Sequence, residues 1–173
     1  MIVFLGGSAS IRELPVAVCD YLTAVTAEHE ELSDLYCEFV IGDCHGGDFL
    51  LQKALSSIEQ RGKRRLGVTV HHMGRMCRNN EGYWRCCQSF SDLQGREYYS
   101  VKDKVMSEKC DRGFMIWDGV SAGTLDNIQR LVELGKPVVV YLMALASFYT
   151  IESPRDLYAF MNYVKNPRWE KSQ

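Results

Sequence analysis

Proline is scarce, with four in 173 residues, and no apolar run approaches the roughly 18–20 residues that a membrane-spanning helix needs. The opening MIVFLGG lacks a basic n-region and a small-residue cleavage site, so no secretory signal is expected and the chain reads as cytoplasmic. Seven cysteines, an odd number without framework spacing, argue against a disulfide scaffold and for a reducing compartment. Neither a P-loop lysine motif nor a serine nucleophile elbow is present. His71, His72, Cys77, Cys86 and Cys87 are metal-ligating types, but no C-x-x-C or H-x-x-x-H spacing joins them. Paired histidines at a strand end also point to opposite faces, so neither a metal nor a cofactor is expected. A pI of about 6.1 argues against a general nucleic-acid binder, since such domains are strongly basic.

What is there is a near-average globular composition, 46% hydrophobic and 24% charged, on a chain long enough for one domain with a real core. Charge is unevenly placed. Residues 1–60 hold two Lys/Arg against ten Asp/Glu, whereas residues 61–112 hold twelve against six. Such a basic middle third either forms a solvated face or attracts a phosphate-bearing ligand.

Strand-like and helix-like segments alternate along the chain. Residues 1–5 read as a buried strand feeding the turn Gly6-Gly7-Ser8, and residues 38–41, 66–70, 114–117 and 138–142 read as further strands. Between them, apolar residues recur at helical spacing: Ile11, Leu14, Val18, Leu22 and Val25; then Leu51, Ala54, Leu55 and Ile58, with Asp48 as a candidate cap; then Leu125, Ile128, Leu131 and Val132. A further helix is expected at about 101–110. Residues 73–100 lose periodicity but hold four arginines and several aromatics, which suggests a long binding loop, a lid or a protein contact surface. Gly135 sits where a C-terminal cap belongs, and Ser153-Pro154-Arg155-Asp156 has the form of a helix start.

Strands separated by helices imply an α/β, Rossmann-like three-layer sandwich of about five mostly parallel strands with helices on both faces. The expected division is a Rossmann-like domain over 1–142 and a C-terminal helical extension over 143–173, packed on the same domain. With strand order 3-2-1-4-5, ligands bind at the strand carboxyl ends, where the order reverses. That placement brings Gly6-Gly7-Ser8 opposite the turn Asp118–Thr124, with Gly42, Gly46 and Gly47 beside them. A phosphate on a helix N-terminus needs bare N–H groups, close backbone approach and a hydroxyl. Gly119, Ser121, Ala122, Gly123 and Thr124 supply these, and Gly6-Gly7-Ser8 does so more weakly. Asp43, Asp48 and Asp118 fall at strand ends or helix starts and are the candidate catalytic carboxylates. Lys102 is a candidate phosphate contact, and Trp117 a candidate stacking partner for a base.

Several of these motifs, in this order, resemble the SLOG superfamily: the opening Gly6-Gly7-Ser8; Gly42-Asp43 with Gly46-Gly47-Asp48; Lys102-Asp103-Lys104-Val105-Met106; and Gly123-Thr124-Leu125-Asp126-Asn127. The superfamily holds the Lonely-guy phosphoribohydrolases and the nucleotide-binding domains related to DprA and YspA. The resemblance spans about residues 1–142. It implies a Rossmann-like nucleotide-binding fold, a nucleotide or ADP-ribose-like ligand, cleavage at the N-glycosidic bond in some members, and frequent homodimers. The chain departs from the Lonely-guy pattern where catalysis resides: Lys102 stands at the arginine position, Asp103 at the lysine position and Asn127 at the glutamate position. A nucleotide N-glycosidase built on other carboxylates, a sensor or sequestering module without turnover, and an interaction scaffold that has lost the ligand all remain open.

Overall fold

The computed structural model describes residues 1–28, 38–63 and 65–165. The elements follow in order: β1 (Ile2–Gly7), α1 (Val16–Glu28), β2 (Glu38–Gly42), α2 (Gly47–Gly62), β3 (Gly67–Met73), β4 (Arg85–Ser89), α3 (Gly95–Lys109), β5 (Arg112–Trp117), α4 (Ala122–Glu133), β6 (Val138–Leu142), β7 (Ser147–Ile151) and α5 (Pro154–Lys165). Seven strands form one sheet in the order β4-β3-β2-β1-β5-β6-β7. Every neighbouring pair is parallel except β6 with β7, which run antiparallel.

Alternation along the strands sends side chains to two cores. Val3, Leu5, Phe39, Ile41, Val68, Val70, Phe114 and Ile116 face α1 and α2, meeting Val18, Leu22, Leu51 and Leu55. Phe4, Val40, Met115, Trp117, Val138 and Val140 face the other way, against Met106 of α3, Ile128 and Leu131 of α4 and Phe160 of α5. The α/β three-layer sandwich is therefore present, with strands β3-β2-β1-β5-β6 in the expected order. The count differs because an edge strand was added on each side.

Those edges correct two expectations. Residues 73–100 are not one loop: β3 runs to Met73, β4 pairs with β3 from Thr69↔Arg85 to Met73↔Ser89, and α3 begins at Gly95. Arg85-Cys86-Cys87-Gln88-Ser89 escapes a periodicity reading because this edge strand is only partly buried and shows no alternating apolar face. The 143–173 segment, expected as helical, opens with a 3₁₀ turn over Met143–Leu145 and strand β7 before α5; residues 166–173 lie outside the described residues.

Local chemistry sets the helix ends. α1 starts after Pro15, whose carbonyl accepts the N–H groups of Val18 and Cys19 at 2.9 and 3.3 Å, so Ile11 and Leu14 reach the core from the preceding loop. Gly135 ends α4 with φ +69°, its N–H donating to the Val132 carbonyl. Ser153 and Asp156 close a reciprocal cap on α5: the Asp156 N–H donates to Ser153 Oγ, and the Glu152 N–H to Asp156 Oδ2. Among the described residues, no helix is long and apolar enough to cross a membrane.

Candidate functional site

The chain leaves β1 toward α1 on one face and leaves the adjacent β5 toward α4 on the other, so the two connections part and open a crevice at the strand carboxyl ends. Small polar groups tie its floor. Ser8 Oγ lies 3.1 Å from Thr124 Oγ1 and accepts the Asp118 N–H at 3.2 Å, while Ser10 Oγ donates to Asp118 Oδ2 at 2.5 Å. Asp118 Oδ1 accepts the N–H groups of Val120 and Ser121 at 3.0 and 2.7 Å. Burial opposes the Asp118 charge, but these hydrogen bonds outweigh it and hold the carboxyl below its ordinary value.

The two glycine-rich turns differ sharply. Gly6 and Gly7 are the last residues of β1 rather than a turn. A Cβ on Gly7 would lie 2.5 Å from Ile116 Cγ1 and 2.7 Å from the Gly47 Cα, and one on Gly46 would strike the Ala9 backbone. These positions are glycine because β1 and the start of α2 touch backbone to backbone. Their donors are also spent: the Gly7 N–H goes to Asp48 Oδ1, that of Ser8 to the Ile116 carbonyl and that of Gly47 to the Ser8 carbonyl, each at 3.0 Å. Gly7, Ser8 and Gly47 thus form packing rather than a bare phosphate cradle, with Gly6 inside β1 and Gly46 packed against Ala9. α4 is the opposite case. Its N-cap Ser121 makes no side-chain cap, the first backbone bond of the helix is Leu125 N–H to the Ser121 carbonyl, and among the described residues none claims the N–H groups of Ala122, Gly123 and Thr124. A Cβ on Gly123 would meet nothing within 4 Å. Gly119 (φ +90°) turns the chain into this end.

Beside that end lies a buried charged cluster. Lys102, expected at the helix surface as a phosphate contact, is 2% exposed. α3 begins two turns before it and lays it against β2, where the missing Cβ of Gly42 leaves room for the Lys102 ammonium and the Asp48 carboxylate together. Lys102 Nζ donates to Asp103 Oδ1 at 2.6 Å. The Asn127 amide approaches Asp103 Oδ2 at 3.5 Å and accepts from Arg130 Nη1 at 2.8 Å. Burial disfavours the ammonium, yet Asp103 and Asp48 hold the Lys102 pKa above its ordinary value. Asp48, expected to cap α2, is instead the helix's second residue, and its carboxylate turns back to the Gly7 N–H. Burial pushes its pKa up to about 6, with Lys102 only partly offsetting the desolvation. His71 occupies the sheet position beside Gly42 and is 1% exposed, with Nδ1 unpartnered; burial and the nearby lysines lower its pKa to about 4.

The remaining candidates have other duties. Asp43 is fully buried and engaged by Arg78: Nη2 donates to Oδ1 at 2.7 Å, and Nε and the backbone N–H donate to Oδ2 at 2.9 and 3.1 Å. Burial works against the Asp43 charge, but Arg78 outweighs it and keeps the carboxyl below its ordinary value. This clamp anchors the β3–β4 connection to β2. Trp117 does not present its ring to a ligand: it is 2% exposed, packs on Phe160 at 5.9 Å between centroids, and donates its indole N–H to the Ser121 carbonyl. Asp126 faces outward and pairs with Arg96. Sequence reasoning missed Arg78, hidden in an aperiodic stretch, and the role of Asp103, whose signal was its place in the same motif as Lys102. Among the described residues, no three His, Cys, Asp or Glu side chains converge as a metal site. No family model, no curated protein and no solved structure matches the chain.

Proposed function

We propose that the crevice binds a nucleotide or nucleotide-sugar of the ADP-ribose type, and that the protein acts at its N-glycosidic bond. The observation that carries this reading is the adjacency of two features: a helix N-terminus whose first three N–H groups no described residue claims, and a buried carboxyl with a pKa near 6. A phosphate takes the N–H groups of Ala122, Gly123 and Thr124, with Ser10 and Asp118 at the rim. The sugar then extends toward Asp48 and Asp103.

Cleaving an N-glycosidic bond requires a proton for the departing base and an anion near the cationic sugar carbon. Asp48, part-protonated near neutrality, gives the proton as the C–N bond breaks. Asp103 is 19% exposed, held by Lys102 and Asn127, and supplies the anion. Water adds at the sugar carbon and its proton returns Asp48 to the acid form. The resemblance to the SLOG superfamily agrees with the ligand class. Binding without turnover is the second reading, and it draws on Asn127, an amide where that resemblance expects a catalytic carboxylate.

Thermal-shift titration against AMP, dAMP, GMP, CMP, NAD, ADP-ribose and cyclic dinucleotides tests it. A ligand at about 100 times its Kd adds about 2.7 kcal/mol, several degrees for a domain of this size. Gly123→Ala leaves the fold intact, because its Cβ enters open space, yet places a methyl where the phosphate approaches, so the shift should fall away. Free base released from the bound compound selects the enzyme over the sensor. No shift from any compound at millimolar concentration refutes nucleotide binding and favours the scaffold.

A further inference from the structure

An arginine and a tyrosine meet at the outer end of the crevice, where the β3–β4 connection faces α3. α3 runs from the carboxyl end of β4 to the amino end of β5, so its first turns stand at the crevice end of the sheet. Tyr99 lies one helical turn, about 6 Å, outside Asp103 on the same side of α3. Arg96, a further turn out, pairs with Asp126 and fixes this end of α3 against α4. The Tyr99 ring belongs to neither core and is 48% exposed. The Arg78 guanidinium stands over it, 5.4 Å from the ring centroid, and Tyr98 packs at right angles to it with centroids 5.1 Å apart. Arg78 is itself held in place. Its Nε and Nη2 donate to the Asp43 carboxylate, Nη2 also reaches Cys44 Sγ at 3.3 Å, and the Asn79 amide donates to the Asp43 carbonyl at 2.8 Å. Cys44 belongs to the short β2–α2 turn that leads to Asp48, so the pair borders the carboxyl cluster. The Arg78 side chain remains 38% exposed, and among the described residues none claims its Nη1.

We propose that Arg78 and Tyr99 are the base subsite of the crevice, and that the base they select is a purine. The inference rests on the nucleotide reading above. With the phosphate on the α4 N-terminus and the sugar beside Asp48 and Asp103, a base carried one helical turn farther along α3 meets Tyr99 and Arg78. A planar, electron-rich ring gains from a guanidinium and an aromatic ring that are already set in place, because little side-chain freedom is lost on binding. A fused purine offers more face to the two groups than a single pyrimidine ring does. Asp43 already matches the Arg78 charge, so the pair is a stacking surface rather than a second phosphate site. The stacking role expected of Trp117 thus falls to Tyr99.

Isothermal titration calorimetry of the full chain tests this with AMP, GMP, CMP and ribose 5-phosphate, which has the phosphate and sugar but no base. AMP and GMP should bind tightest, CMP less tightly and ribose 5-phosphate least, with about tenfold or more between AMP and ribose 5-phosphate. Tyr99→Leu keeps the fold, because the ring lies outside both cores, and should weaken AMP about tenfold while leaving ribose 5-phosphate unchanged. Tyr99→Phe should retain wild-type affinity for AMP. Phe90→Leu, which removes an exposed ring after β4, should change neither compound. Ribose 5-phosphate binding as tightly as AMP, or Tyr99→Leu weakening both alike, overturns the base subsite and leaves the phosphate site standing. CMP binding as tightly as AMP overturns the purine selection. No binding by any of the four refutes the nucleotide reading itself, and the base subsite with it.

Discussion

Replacing Asp48 with asparagine should stabilise the protein at neutral and alkaline pH, although it removes a charge beside a buried lysine. In the folded chain the Asp48 carboxyl titrates near 6, against an ordinary value of 3.8, because burial costs the carboxylate more than Lys102 and the Gly7 N–H return. A raised acid pKa means that the native state binds the Asp48 proton more tightly than the unfolded chain does. Stability attributable to Asp48 is therefore full below about pH 4 and declines as pH rises toward and past 6. A gap of about two pKa units corresponds to about 3 kcal/mol at pH 8. Asparagine keeps the acceptor for Gly7 and resembles the protonated acid, so Asp48→Asn escapes this cost. Urea and thermal denaturation of both proteins from pH 4 to 8.5 read the difference. The variant should match wild type near pH 4 and gain with pH, reaching a Tm roughly 5–10 °C higher at pH 8. A pH-independent gap, or a variant less stable at pH 8, would refute the claim that Asp48 is held against its solvation preference.

Lys102→Met leaves Asp48 and Asp103 without their cation and should cost about 3–5 kcal/mol at pH 8, and less at pH 5 where Asp48 takes its own proton; chemical denaturation at both pH values checks the difference. Gly7→Ala drives a methyl into Ile116 and the Gly47 backbone, so calorimetry should show a loss of about 1–3 kcal/mol, and an unchanged Tm would contradict the backbone contact between β1 and α2. Ser121→Asp supplies the side-chain cap that α4 lacks and should raise stability by about 0.5–1 kcal/mol while abolishing the thermal shift from any phosphorylated ligand. A stabilised variant that still binds would move the phosphate elsewhere.

The sheet was legible because its central strands are buried on both faces and read as apolar runs between helical stripes, as Val3 to Leu5 and Val138 to Leu142 do. The edges were not. β4 has no apolar face, and β7 alternates half-buried and exposed residues in a pattern too short to separate from a loop. At the site, the turn Asp118–Thr124 and the carboxylates at strand ends were visible as residue types, but their commitments were not. Nothing local says that the Asp43 carboxylate meets Arg78, 35 residues on, or that a lysine seven residues into α3 is sealed beneath β2. Trp117 misled for the same reason: preceding a polar turn does not decide which face of the sheet its ring takes, and strand alternation sends it to the α5 side with Phe4 and Met115.

The glycines divide the crevice into a part built for stability and a part that is not. Where β1 meets α2 the glycines serve packing: Gly7 and Gly47 let two backbones touch, and their N–H groups find acceptors within the protein. Two positions, one on each side of the crevice, depart from this. Ser121 stands at the N-cap without capping, although Asp118 nearby satisfies the Val120 and Ser121 N–H groups and no others. Asp48 is mostly ionised at neutral pH in a place that favours its acid form, when an amide there would make the same bond to Gly7 without the penalty. Each departure alone is an ordinary imperfection. Their meeting where the strand order reverses, one leaving donors for an anion and the other a carboxyl that titrates near neutrality, is what the proposed nucleotide site rests on.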